Sequence, residues 1–153
     1  MSQPRISAKY WEAILYPENM FPHWKNIIDD VLQVPFAYCV HDKDPHIDKT
    51  TGETIKKIHI HLFIAYNNVT TLNQILKLCN KLSLPNKKCC STAAEVVSPI
   101  HAYDYLIHAT KKAREQGKFQ YPESERILGN NFDIHFIANE DEHEKCIKVQ
   151  QST

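Results

Sequence analysis

In the segment Ile58-His59-Ile60-His61-Leu62-Phe63-Ile64, two histidines stand one residue apart inside an oily stretch. Successive side chains of a β-strand point to opposite faces. Ile58, Ile60, Leu62 and Ile64, continued by Tyr66, therefore form a core face, and His59 and His61 share the other. Two rises of about 3.3 Å put the histidine Cα atoms about 6.6 Å apart, within reach of one metal ion. A single strand histidine is more often a surface or hydrogen-bonded residue. A second at i+2 shifts the balance, because two desolvated imidazoles side by side favour a cation between them.

Working outward, residues 7–16 are aromatic-rich, β-forming and closed by Pro17, which predicts a first strand. Pro22 opens a helix whose Trp24, Ile27, Ile28 and Val31 fall on one stripe. A second strand spans 34–41, and a polar loop at 42–54 leads into the histidine strand at 56–66. Thr71 and Gln74 have capping-box spacing for a helix to about Leu82. Residues 92–97 read as a further strand. Ser98-Pro99 supplies an N-cap and an N1 proline for a helix to about Lys112, and 132–149 suits a final helix. The second and third strands are joined without a helix and should be antiparallel neighbours. The expected fold is α+β: a mainly antiparallel sheet with helices on one face and the histidines on the other, open face.

At 153 residues, with 42% hydrophobic and 24% charged residues, the chain suits one globular domain. No apolar run approaches the roughly 20 residues of a membrane span, and no signal-peptide pattern opens the sequence. Five cysteines without a C-x-x-C pair read as reduced cytosolic thiols. The zero net charge hides an asymmetry: residues 1–118 hold 15 Lys/Arg against 11 Asp/Glu, and residues 119–153 hold 3 against 7. A mildly basic front portion fits an anionic partner, and also an ordinary solvated surface.

The second strand ends in His41-Asp42-Lys43-Asp44, and pairing across the 42–54 loop carries His41 and Asp44 towards His59 and His61. His46 and Asp48 are weaker candidates. Imidazoles plus a carboxylate suit Mn²⁺ as well as Zn²⁺, whereas Mg²⁺ prefers more oxygen. The helix at 100–112 adds a nucleophile: Ile100, Tyr103, Leu106, Ile107 and Thr110 recur at core spacing, and His101, Tyr105, His108 and Lys112 form a second stripe. A tyrosine is a poor nucleophile at its free pKa of about 10, yet forms covalent intermediates when activated. A tyrosine on a helix is, taken alone, more often structural, and Tyr103 fits that description better than Tyr105.

Taken together, His41-Asp42-Lys43-Asp44, His59-Ile60-His61 and Tyr105-Leu106-Ile107-His108 resemble the HUH endonucleases, and within them the Rep_2 (RepB-like) initiators of rolling-circle plasmids. Leu15-Tyr16-Pro17-Glu18, Val34-Pro35 and Asn130-Asn131-Phe132-Asp133-Ile134 extend the likeness over roughly residues 7–137. The resemblance implies a ferredoxin/RRM-like sandwich over 1–137, with 138–153 a C-terminal helix or tail leading to an oligomerisation domain in longer forms. It implies His41, Asp44, His59 and His61 as ligands of Mn²⁺ or Mg²⁺, and Tyr105 as nucleophile. The implied activity is nicking and closing of single-stranded hairpin DNA at the plasmid's double-strand origin, through a 5′-phosphotyrosine and a free 3′-OH. Lys56, Lys57, His108, Lys111 and Lys112 are the expected DNA contacts. The expected setting is the bacterial cytoplasm, with host replication proteins as partners and no membrane. The alternatives are a single-tyrosine HUH transposase or relaxase-like enzyme and a non-catalytic nucleic-acid-binding α+β module.

Overall fold

The His-Ile-His segment opens the central strand of the protein. The computed structural model describes residues 7–43, 46–47, 50–52, 54–55 and 57–151. Its main sheet contains β1 (Ser7–Leu15), β2 (Phe36–His41), β5 (His59–Thr71), β6 (Thr92–Glu95) and β7 (Ile127–Gly129), in the order β6-β1-β5-β2-β7. Every neighbouring pair is antiparallel. The β2–β5 connection carries a small ladder of β3 (His46–Ile47) and β4 (Thr54–Ile55).

Among the described residues five α-helices accompany the sheet: α1 (Trp24–Leu32), α2 (Leu72–Cys79), α3 (Pro99–Tyr105), α4 (Lys111–Glu115) and α5 (Ile134–Gln151). α2 starts at the predicted capping box, with the Thr71 side chain accepting from Gln74 N–H and the Gln74 side chain accepting from Thr71 N–H. α1 begins two residues later than Pro22, with His23 at its N-cap. No helix among the described residues is long and apolar enough to cross a membrane.

Strand parity divides the core in two. Trp11, Ala13, Leu15, Phe36, Tyr38, Ile60, Leu62 and Ile64 pack under α1 and α2 with Trp24, Ile28, Leu32 and Ile75. The buried thiols Cys79, Cys89 and Cys90 belong to this layer. The other face carries Tyr10, Ala37, Cys39, Phe63 and Ala65 against Ala102, Leu106, Ile107, Phe132 and Ile137. The α+β fold is thus as expected, with one addition. The second face is not the open one expected: α3 and α5 cover its apolar half, and at the other end His41 is buried with His59 and His61 only partly exposed.

The helix expected over residues 99–112 is two helices. α3 stops at Tyr105, and the chain turns through residues 106–108 before Thr110, whose side chain accepts from Ala113 N–H, caps α4. The break has a Schellman pattern: Ala109 N–H donates to Asp104 O at 2.9 Å and His108 N–H to Tyr105 O at 3.0 Å. His108 takes the left-handed position at φ 59°. Apolar spacing runs smoothly through this turn, so periodicity predicts one helix, but the Thr110 cap and the tertiary bonds of His108 favour two. The stripe aligning Tyr105 with Lys112 is therefore broken.

The three-residue β7 was also missed. It is held by Gly129, which lies opposite Phe36. A Cβ there would sit 2.1 Å from the Phe36 ring, so the glycine leaves the space the aromatic fills. Asn130 and Asn131 follow at φ 52° and 64°, a region Asn tolerates. The Asn130 side chain donates to Asp29 O and Val34 O, tying the strand end to the α1–β2 turn.

Candidate active site

The histidines meet because two strand ends are in register. His41 pairs with His59 and Cys39 with His61 across β2 and β5, and directly opposed residues share a face. The His41 ring lies 4.2 Å from that of His61 and 5.2 Å from that of His59, and His59 lies 5.1 Å from His61. One ligand nitrogen from each of the three falls within 4.8 Å of the others. Asp44 lies outside the described residues, as do Lys56 and Asp48.

Hydrogen bonds set which nitrogens face the cluster. His41 is fully buried, and its Nε2–H donates to Leu106 O at 2.7 Å. His59 Nδ1–H donates to Lys57 O at 3.0 Å. A carbonyl can only accept, so in the neutral rings the lone pairs sit on His41 Nδ1 and His59 Nε2. Such outer bonds orient and enrich metal-ligating imidazoles. The Leu106 carbonyl has no α-helical partner because the chain turns at 106–108. The break in the helix is thus what orients His41.

Electrostatics push the same way. Burial first, then the imidazoles of His41, His59 and His108 and the Lys118 ammonium, lower the His61 pKa from 6.5 to about 2. His61 is neutral at any working pH, with its lone pair available.

Tyr105 ends α3 on the same side. Its ring lies 5.6 Å from His61 and 5.4 Å from His108. Half-buried, it borders a cleft of about 240 Å³ lined also by Glu12, Ile14, His61, Thr92 and Ala94. His108, which is buried, lies 4.4 Å from His41 and donates from Nδ1 to Phe119 O at 2.8 Å. Tyr103 takes a packing position, stacked on Phe132 at 6.0 Å beneath the Arg126 guanidinium.

The expected lysines divide. Lys57 stays beside the histidines, 4.4 Å from the Tyr16 ring centroid, and Tyr16 in turn lies 6.5 Å from His59. Lys111 and Lys112 lie on α4, beyond the break in the helix, where Lys111 is 92% exposed and pairs with Glu115. Two functional candidates escaped the sequence reading. Lys118 Nζ donates to Tyr105 Oη at 2.7 Å. Tyr121 stacks on His41 at 4.7 Å and accepts from Lys43 N–H. The alternating Lys118-Phe119-Gln120-Tyr121 was the available signal, although its neighbours in space are remote in sequence.

Comparison with known proteins gives the family of the chain. The chain is 36% identical over 140 residues to the replication protein RepB of Streptococcus agalactiae, covering 90% of the chain and 64% of that protein. It is 30% identical over 133 residues to the RepB of Lactiplantibacillus plantarum, covering 86% of the chain and 53% of that protein. It thus spans less than two thirds of the length of either relative. Residues 3–135 match the plasmid replication protein origin-binding domain, and the chain belongs to that family.

Proposed function

We propose that this domain acts in plasmid replication initiation as a metal-dependent DNA strand transferase, nicking and rejoining single-stranded DNA at the double-strand origin. The observation that carries the proposal is the Tyr105 ring 5.6 Å from His61, at the edge of a three-histidine cluster and an open cleft. Binding to an origin would not by itself require a phenol at that place. The donor chemistry fits a divalent cation: three imidazoles suit Mn²⁺ better than Mg²⁺, and Asp44 is the expected oxygen ligand. When bound, such an ion supplies Lewis-acid polarisation of a phosphoryl oxygen.

The protein's own residues do the rest. The cleft admits a strand whose phosphate must be unpaired to reach the sheet. Tyr105 Oη attacks the phosphorus and the 3′ oxygen leaves, so the phosphodiester's energy is kept in a 5′-phosphotyrosine and joining needs no nucleotide cofactor. Lys57 is the described lysine best placed to hold the backbone. The released 3′-OH would be extended by host replication proteins in the bacterial cytoplasm, and a longer form of the chain would supply any homo-oligomerisation.

The test is a labelled single-stranded oligonucleotide carrying the origin hairpin, incubated with the protein and Mn²⁺ and resolved on a denaturing gel. A covalent adduct is expected for the wild type and for Tyr103→Phe, none for Tyr105→Phe, and a strong loss for His59→Ala or with EDTA. An adduct that persists in Tyr105→Phe would refute the assignment.

A further inference from the structure

Lys118 leaves the turn after α4 with both backbone polar groups engaged: its N–H donates to Ala113 O at 3.1 Å and its carbonyl accepts from the Gln120 side chain at 3.1 Å. Gly117, at φ 72°, makes the turn that delivers it. A lysine in this position would ordinarily extend into water, since its ammonium is strongly hydrated and its four-carbon stem flexible. Instead the side chain is half-buried and Nζ lies 2.7 Å from Tyr105 Oη. That is the length of a charge-assisted hydrogen bond. Among the described residues no carboxylate pairs with it, so its charge is directed at the phenol oxygen and, more distantly, at His61.

We propose that Lys118 is a catalytic residue of the strand transfer, one that aims the Tyr105 oxygen and balances its negative charge as the bond to phosphorus forms and breaks. The inference rests on the reading of Tyr105 as nucleophile. In nicking, the phenol gives its proton to solvent and Oη forms the P–O bond. The P–O3′ bond breaks, and the departing 3′ oxygen takes a proton from solvent. Joining runs the same exchange backwards, with the tyrosyl oxygen leaving. The Lys118 donor is already in place before the charge appears, which is what makes a fixed donor effective. The stacked pair Tyr121–His41 and the Phe119 carbonyl bonded to His108 anchor the same 118–121 segment, so the donor is tied to the cluster it serves.

The experiment compares wild type, Lys118→Gln, Lys118→Met and Lys118→Arg, with Tyr105→Phe as control, on the hairpin oligonucleotide with Mn²⁺. Single-turnover adduct formation, oligonucleotide affinity across a salt series, and the melting temperature of each variant are measured. Loss of one preorganised donor predicts an adduct rate about 10²-fold lower in Lys118→Gln and Lys118→Met. Affinity, salt slope and melting temperature should stay unchanged, and Lys118→Arg should recover most of the rate. The inference is overturned by a wild-type rate in Lys118→Gln and Lys118→Met, or by an arginine variant no faster than the glutamine one. It is equally overturned by a loss confined to affinity with the salt slope reduced by about 1, the signature of a phosphate contact. An adduct in Tyr105→Phe would instead sink the nucleophile reading, whatever the lysine variants do.

Discussion

Lowering the pH should destabilise the metal-free protein through His61, and replacing His61 should abolish that part of the pH dependence. His61 has a folded-state pKa of about 2 against an ordinary 6.5, chiefly because it is buried and secondarily because three imidazoles and Lys118 surround it. Below pH 6.5 the unfolded chain takes up a proton at this position and the folded protein does not. The unfolded state binds more protons throughout the window from 6.5 down to about 2, so stability falls as the pH falls. Linkage gives a loss of about 1.4 kcal/mol at pH 5.5 and about 2.7 kcal/mol at pH 4.5, relative to pH 7.5. For a domain of this size the first figure corresponds to roughly 3–6 °C in Tm. The assay is urea unfolding in EDTA at several pH values for wild type and His61→Asn. Carboxylates common to both proteins cancel in the difference. The wild type should lose its advantage, or deepen its deficit, by the stated amounts as the pH drops. A difference between the two proteins that stays constant from pH 7.5 to 4.5 would show that the folded protein protonates His61 normally, and the case for a pre-formed imidazole ligand would fail.

Two further outcomes are expected. Mn²⁺ at a hundredfold excess over its Kd should stabilise the protein by about 2.7 kcal/mol, read as a rise in Tm, and the rise should vanish in His41→Ala and His59→Ala. An unchanged wild-type melt at millimolar Mn²⁺ would count against the site. Gly129→Ala would force a methyl group into the fully buried Phe36 ring, 2.1 Å away, and should cost about 1–3 kcal/mol by overpacking, measured by urea unfolding. A neutral result would mean that β7 yields instead of the core.

What could be read from sequence followed what is local. Period-2 alternation put His59 and His61 on one face, and the helix-free connection from 41 to 59 was enough to pair His41 with His59. The end of α3 was not legible, because the apolar spacing of Leu106, Ile107 and Thr110 is that of a continuing helix. The turn is fixed by a histidine where glycine would ordinarily signal a stop, and by a bond from His108 to a carbonyl eleven residues on. β7 escaped for a similar reason: three residues carry little pattern, and its partner Phe36 lies in a distant strand. Lys118 and Tyr121 belong to an irregular segment whose sequence shows composition without periodicity. Their role depends on where the fold returns them.

The bond from His41 Nε2 to Leu106 O also makes the cluster and the tyrosine helix parts of one device. An imidazole drawn on at Nδ1 becomes a stronger donor at Nε2. If the cluster holds a cation as proposed, occupying it would tighten the grip on the residue next to Tyr105. Reciprocity would require the converse: whatever orders the end of α3, a strand of DNA in the cleft included, would raise the affinity of the cluster for such an ion by the same factor. On the reading proposed above, cation and substrate would then be mutual effectors.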